Sequence, residues 1–214
     1  MLDPESPAGR RPLKSRQFPF FQKLAERLAR DGVTPNTISF YSLVFGASAG
    51  LAFAITAHCP GWLARIFFLA AAVFIQLRLI CNLIDGMVAV EHQRKSPEGE
   101  LWNEVPDRFS DVATIVGAGF ALGSHPLLGF IGAILALLTA YVRALGASVG
   151  AGQIFAGIGG KPQRMFLLTV TAVAMTVLMR PVMMTIGLIL VCLAAAATVA
   201  ERLKIIRNHL YSTH

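Results

Sequence analysis

Apolar stretches of roughly 20 residues recur along this chain, the length needed to cross a hydrocarbon core of about 30 Å. They predict six spans, at about 37–57, 62–83, 105–123, 126–149, 163–180 and 182–201. Three connections are short (His58-Cys59-Pro60-Gly61, Ser124-His125 and Arg180-Pro181), while those after spans two and four are longer and hold charges. Ahead of the first span, Phe21, Leu24, Ala25 and Leu28 share one helical face, with Lys23, Arg27 and Arg30 largely elsewhere. That periodicity predicts a short amphipathic helix over 19–31, suited to lying on a membrane surface. Gly32 ends it, and Thr34-Pro35-Asn36-Thr37 supplies a turn and a cap for the next helix. The expected architecture is all-α: a polytopic membrane domain of six transmembrane helices over 34–208, preceded by the surface helix. A Pro-, Arg- and Ser-rich stretch over 1–18 reads as a disordered cytoplasmic tail.

Composition agrees with this class. Of 214 residues 55% are hydrophobic and 14% charged, against about 25% charged in a soluble domain. Soluble α/β enzymes and disulfide scaffolds are excluded, and Cys59, Cys81 and Cys192 form no metal-type spacing. The net charge of +7 is placed as in a membrane protein. Seven of the nineteen Lys and Arg (Arg10, Arg11, Lys14, Arg16, Lys23, Arg27, Arg30) precede the first span. Others cluster at Arg94 and Lys95, at Lys161 and Arg164, and at Arg202, Lys204 and Arg207. The positive-inside bias makes that side cytoplasmic, with both termini on it, and points to lipid headgroups rather than nucleic acid. No apolar run fit for a signal peptide occurs in the first 35 residues, so the first span is expected to direct insertion. Gly46 with Gly50, Gly119 with Gly123 and Gly146 with Gly150 have the spacing that lets helices approach closely. Gly159-Gly160-Lys161 is not a phosphate-binding loop, because the upstream Gly is missing and Pro162 replaces the Ser or Thr.

The polar chemistry is concentrated. Seven of the twelve acidic residues lie within 82–111. Asp107 and Asp111 enter the third span four residues apart on one face, which Asn103 continues one turn earlier. Asn82 and Asp85 sit three apart at the cytoplasmic end of the second span. Ionisable groups in a span cost roughly 2.5–3.5 kcal/mol each near its centre, so they face a polar cavity. Carboxylate and amide oxygens gathered in a small space suit a hard cation, Mg²⁺, Mn²⁺ or Ca²⁺. Two other readings compete: Asp111 pairing with a buried Arg, and Asn103 capping the third helix. Arg78, one turn before Asn82, either reaches a substrate phosphate or pairs with Asp111. Arg143, about two turns inside span four, suits a ligand or lipid phosphate, and Lys161 and Arg164 read as interfacial.

Asn82-x-x-Asp85-Gly86-x-x-Ala89, followed by Gly99-x-x-x-Asn103-x-x-x-Asp107, resembles the signature of the CDP-alcohol phosphatidyltransferases. There the pattern reads Asp-x-x-Asp-Gly-x-x-Ala-Arg, a spacer, then Gly-x-x-x-Asp-x-x-x-Asp. Thr34-Pro35-Asn36 and Tyr141-Val142-Arg143 also look like segments of that family. The resemblance implies transfer of a phosphatidyl, or similar phosphoalcohol, group from a CDP-linked lipid to a small alcohol acceptor, with release of CMP. The lipid it implies is CDP-diacylglycerol, the place is the cytoplasmic face of the inner membrane, and a homodimer is expected. It further implies Mg²⁺ or Mn²⁺ held by Asn82, Asp85, Asn103 and Asp107, with Asp111 in support, and Asp107 as the base. Gly86 and Ala89 would let the nucleotide approach closely. Arg78, Arg143, Lys161 and Arg164 would bind phosphate or acceptor.

Three positions depart from the pattern: Asn82 and Asn103 replace aspartates, and Val90 replaces the Arg. Either one metal binds rather than two, or nearby Glu104, Glu91 or Glu100 restore charge, or the site is catalytically inactive. The favoured reading is a working enzyme with an altered metal site. The alternative is an inactive CDP-lipid-binding or regulatory membrane protein. A small transporter would need a polar pathway through the midplane and usually internal repeats, neither of which is visible.

Overall fold

The computed structural model describes residues 18–91 and 98–213, all of whose regular elements are helical. The expected tail apart from Phe18 lies outside the described residues, as do His92, Arg94 and Lys95. Seven α-helices follow one another: α1 (Pro19–Arg30), α2 (Pro35–Ile55), α3 (Gly61–Glu91), α4 (Gly99–Gly119), α5 (Pro126–Ser148), α6 (Lys161–Leu178) and α7 (Val182–Thr213). A short 3-10 turn, Thr56–His58, ends α2. The helix starts follow local chemistry. Thr34 Oγ1 accepts from the backbone N–H of Thr37 at 3.2 Å, with Pro35 in the first turn. His125 Nδ1 accepts from Leu127 N–H at 3.3 Å, with Pro126 behind it. Gly32, at φ +83°, makes the turn between α1 and α2 that a side chain would resist.

Helices α2 to α7 run alternately up and down, so the chain returns again and again to one end. Ser39 near the start of α2 meets Asp85 near the end of α3, and Glu104 early in α4 meets Arg143 late in α5. At the opposite end Thr56 Oγ1 accepts from Leu122 N–H, and Thr185 Oγ1 donates to the Gly123 carbonyl. The main core, with Phe53, Phe68, Ile75, Ile115, Leu168, Met175 and Leu188, is apolar between those ends. Large apolar side chains also point outward, among them Leu51, Ile66, Ile134, Val177 and Leu193. Such an exterior suits lipid and would be costly in water.

Among the described residues, four helical stretches are long and apolar enough to cross a membrane: Pro35–His58, Gly61–Ala89, Pro126–Ser148 and Val182–Ser212. The other two expected spans correspond to α4 and α6, whose polar residues lower their apolarity: Glu104, Asp107, Arg108 and Asp111 in α4, and Lys161, Gln163 and Arg164 in α6. Three boundaries also differ from expectation, one of them at the end of α7, which runs on to Thr213 rather than stopping near 201. Helix α3 continues past residue 83 to Glu91, so Asn82 and Asp85 lie within the helix. Helix α4 begins at Gly99 and carries Pro106 in its interior. The surface-helix reading of α1 is corrected in part. Its apolar face, with Ala25 and Ala29 buried, packs against Leu83, Ile84, Met87 and Val88 of α3 rather than standing free for lipid.

Of the small-residue pairs, Gly46 and Gly50 bring α2 against α4. A side chain at Gly46 would run into Ser110, and one at Gly50 into the backbone carbonyl of Ala113. Gly119 faces Gly129 of α5, whereas Gly123 and Gly150 serve turns at positive φ. Replacing Gly50 with Leu is expected to destabilise the fold by at least the 1–3 kcal/mol typical of overpacking, or about that much. Thermal unfolding in detergent checks this, and an unchanged midpoint would contradict the close α2–α4 contact.

Candidate active site

At the polar end, α2, α3, α4 and α6 each contribute side chains to one cluster. Asp85 is 4% exposed; its Oδ2 accepts from Ser39 Oγ at 2.7 Å, while Oδ1 is buried without a hydrogen-bond partner. Asn82 is clamped at both ends: its Oδ1 accepts from Ser42 Oγ at 2.5 Å, and its Nδ2 donates to Asp107 Oδ1 at 2.7 Å. Asp107 Oδ2 accepts from Lys161 Nζ at 2.5 Å. Lys161 is the first residue of α6, where a cation is poorly placed on the helix dipole, and the Asp107 carboxylate offsets that.

One turn deeper sits Asp111, 1% exposed. Arg78 Nη2 donates to its Oδ1 and Arg164 Nη2 to its Oδ2, each at 2.5 Å. Arg78 also donates to the Asp107 carbonyl at 3.3 Å and approaches Met165 Sδ at 3.0 Å. Arg164 further donates to Gly159 O at 2.6 Å and Thr139 Oγ1 at 3.1 Å. Of the two competing roles for Asp111, pairing with a buried Arg is the one present, twice over. The arrangement likewise corrects two expectations about cations. Arg78 and Arg164 are 0% and 1% exposed with their inner guanidinium groups spent on Asp111, so neither is placed to receive a substrate phosphate, and Arg164 is not interfacial.

The remaining expected residues lie nearer the opening. Asn103 is exposed, one turn outward from Asp107, and Gly86 and Ala89 are half-buried on α3. Glu104 faces away from the Asp107 cluster: it binds Arg143 at 2.6 Å and Arg108 at 2.8 Å. Arg143 also lies over the Phe155 ring, 5.8 Å from its centroid. Glu104 is thereby spent on guanidinium groups and does not restore charge beside Asp107; the side chains of Glu91 and Glu100 lie outside the described residues.

Four polar partners escaped the sequence reading. Ser39 and Ser42, which hold Asp85 and Asn82, stand three apart on α2, a hydroxyl pair at helical spacing that could have been noticed. Thr139 supports Arg164, and Arg202, expected among headgroup-facing bases, is 6% exposed with bonds to the Ala156 and Thr139 carbonyls.

The donor chemistry has room for a hard cation of limited charge. Among the described residues no three His, Cys, Asp or Glu side chains converge. What is available is the Asp85 and Asp107 carboxylates, with the buried Asp85 Oδ1 lacking a partner; the Asn82 amide turns its oxygen to Ser42 and its nitrogen to Asp107, so it does not stand as the metal ligand that the resemblance implies. These fit one divalent ion.

No protein-family model matches the chain. Comparison with curated proteins finds inner membrane protein YnbA of Escherichia coli, 26% identical over 163 residues, which are 74% of this chain and 78% of that protein. It also finds archaetidylinositol phosphate synthase of Aeropyrum pernix, 32% identical over 130 residues, covering 59% of this chain and 60% of that protein. Among solved structures, phosphatidylinositol phosphate synthase of Mycobacterium tuberculosis in complex with manganese and citrate superimposes with a TM-score of 0.73 at 18% identity, covering 87% of this chain and 88% of that one. The same enzyme with CDP-DAG bound gives 0.71 at 19% identity, covering 87% and 92%. The fold of those two structures is shared over most of this chain.

Asp111→Asn is expected to cost about 3–5 kcal/mol of stability, because two buried guanidinium groups lose their carboxylate. Glu104→Gln, in a partly exposed pair, is expected to cost less than about 1 kcal/mol. Denaturant unfolding of both variants in detergent checks the contrast, and equal losses would contradict it.

Proposed function

We propose that this chain transfers a phosphatidyl group from CDP-diacylglycerol, or a similar CDP-linked lipid, to a small alcohol, releasing CMP. The single observation carrying this reading is Asp107, the last signature position, held on one oxygen by Asn82 and on the other by Lys161. Two hydrogen bonds, one from an ammonium and one from an amide, fix that carboxylate in direction, while each oxygen retains lone-pair capacity. Asp107 takes the proton of the acceptor hydroxyl. The freed oxygen attacks the lipid-side phosphorus, the bond from that phosphorus to the bridging oxygen breaks, and CMP leaves with the bridging oxygen's electron pair. Asp85 and Asp107, with Asn82 at their side, would hold a divalent metal, which when bound neutralises pyrophosphate oxygens. Lys161 and Arg143, each with 22% of its side chain exposed, are the cations left at the opening for substrate phosphate. A shallow, mostly apolar recess of about 400 Å³ between α3 and α6, lined by Gln76, Leu79, Pro162, Gln163 and Phe166, offers room for part of an acyl chain.

In this reading α4 and α6 complete six spans, their polar turns facing the site while the outward faces meet lipid. The basic residues at the same end support a site and both termini on the cytoplasmic side, and the membrane is an inner one in this reading, as the name of the YnbA protein says of its own. A homodimer remains part of the proposal.

Purified protein with CDP-diacylglycerol, Mg²⁺ or Mn²⁺ and a pool of alcohols is expected to release CMP only when metal and acceptor are both present. Asp107→Asn should lower that release by about 10²–10⁴-fold, the usual worth of a general base. Lipid binding without CMP release from any pool would overturn the transferase reading and favour a binding protein.

A further inference from the structure

We infer that this site takes a single divalent cation, and that Asn82 and Lys161 together supply what a second cation would do; the inference rests on the metal-assisted reading above. Its basis is the hydrogen-bond direction at Asn82. An ionised Asp107 can only accept, so the amide end facing it must be the Nδ2 donor, and Ser42 Oγ fits the remaining Oδ1. An aspartate at position 82 could not make that bond. Two carboxylates at this distance would repel and need a cation between them, whereas the amide joins Asp107 directly.

The second oxygen of Asp107 carries the Lys161 ammonium, so both of its oxygens already face positive or donor groups. Asp111 adds nothing for a metal, since Arg78 and Arg164 hold its two oxygens. Asp85 and Asp107 against Lys161 leave at most one net negative charge, and Arg78, 3.9 Å from Asp107 Oδ1, offsets part of that, which is too little for two divalent ions in a buried site. The unpartnered Asp85 Oδ1 marks where that ion has a ligand waiting.

Manganese titration of the full-length protein in detergent, followed by electron paramagnetic resonance of the free ion, counts the sites without requiring turnover. One Mn²⁺ per chain is expected; two, or none, would overturn the inference. The Asn82→Asp, Asn103→Asp double variant is expected to bind two, and a folded double variant that still binds one would overturn the role given to Asn82. Lys161→Gln, by removing a cation beside the ligands, should tighten Mn²⁺ binding at least tenfold, and weaker binding would count against it. Measuring CMP release on the same samples separates the claims. One Mn²⁺ without CMP release leaves the stoichiometry standing and defeats the transferase reading, while release with two bound Mn²⁺ does the reverse.

Discussion

Asp111 is one carboxylate held between two guanidinium groups, and the relative placing of α3, α4 and α6 depends on it. Each of the three charges alone would be expensive in an apolar bundle. Together, with Gly159 O and Thr139 Oγ1 taking further Arg164 protons and the Asp107 carbonyl taking one from Arg78, most of the hydrogen-bonding capacity is used. Only the two Nε groups are left without partners. Removing Asp111 leaves two buried guanidinium groups without their counter-charge, and removing either arginine leaves one Asp111 oxygen buried without its donor, so the triad fixes which helix faces meet.

That anchor has a consequence one turn outward. Arg78 also holds the backbone of Asp107, and Arg164 belongs to the same first turn of α6 as Lys161. The buried triad therefore sets where the Asp107 carboxylate and the Lys161 ammonium stand relative to Asp85. The hydroxyls of Ser39 and Ser42 do the same from α2, which reaches α4 closely because Gly46 and Gly50 lack side chains. Small residues on one face of α2 and hydroxyls near its start thus serve one end: closeness in the middle of the bundle, fixed polar partners at its mouth.

Much of this was legible in the residues. The Thr34-Pro35, Gly32 and His125-Pro126 punctuation places the starts of α2 and α5 within a few residues, because caps and turns are local chemistry, whereas the apolar runs do not show how far α3 and α7 continue past the lipid-facing stretch. The acidic spacing between Asn82 and Asp111 located the polar end. What periodicity could not supply was partnership between helices. It left Arg78 undecided between phosphate and Asp111, and it put Arg164 and Arg202 at the membrane interface, since a basic residue near a span end reads alike whether it faces headgroups or a buried carbonyl. The apolar face of α1 was ambiguous in the same way, because lipid and the end of α3 ask for the same side chains. Ser39 and Ser42 carried a signal, two hydroxyls at helical spacing, that gains meaning only once Asn82 and Asp85 are opposite them.

The claim that the Asp111 triad positions the reacting groups, beyond holding the helices, is tested by removing its charges without leaving any unpaired. Arg78→Met, Arg164→Met and Asp111→Leu in one chain replace the ions by apolar side chains, a kind of exchange that can leave stability intact. The measurement is the initial rate of CMP release by this triple variant, per folded protein, at saturating CDP-diacylglycerol and metal. The account predicts a folded protein whose rate is at least tenfold below that of the parent. A folded variant releasing CMP at the parent rate would contradict it.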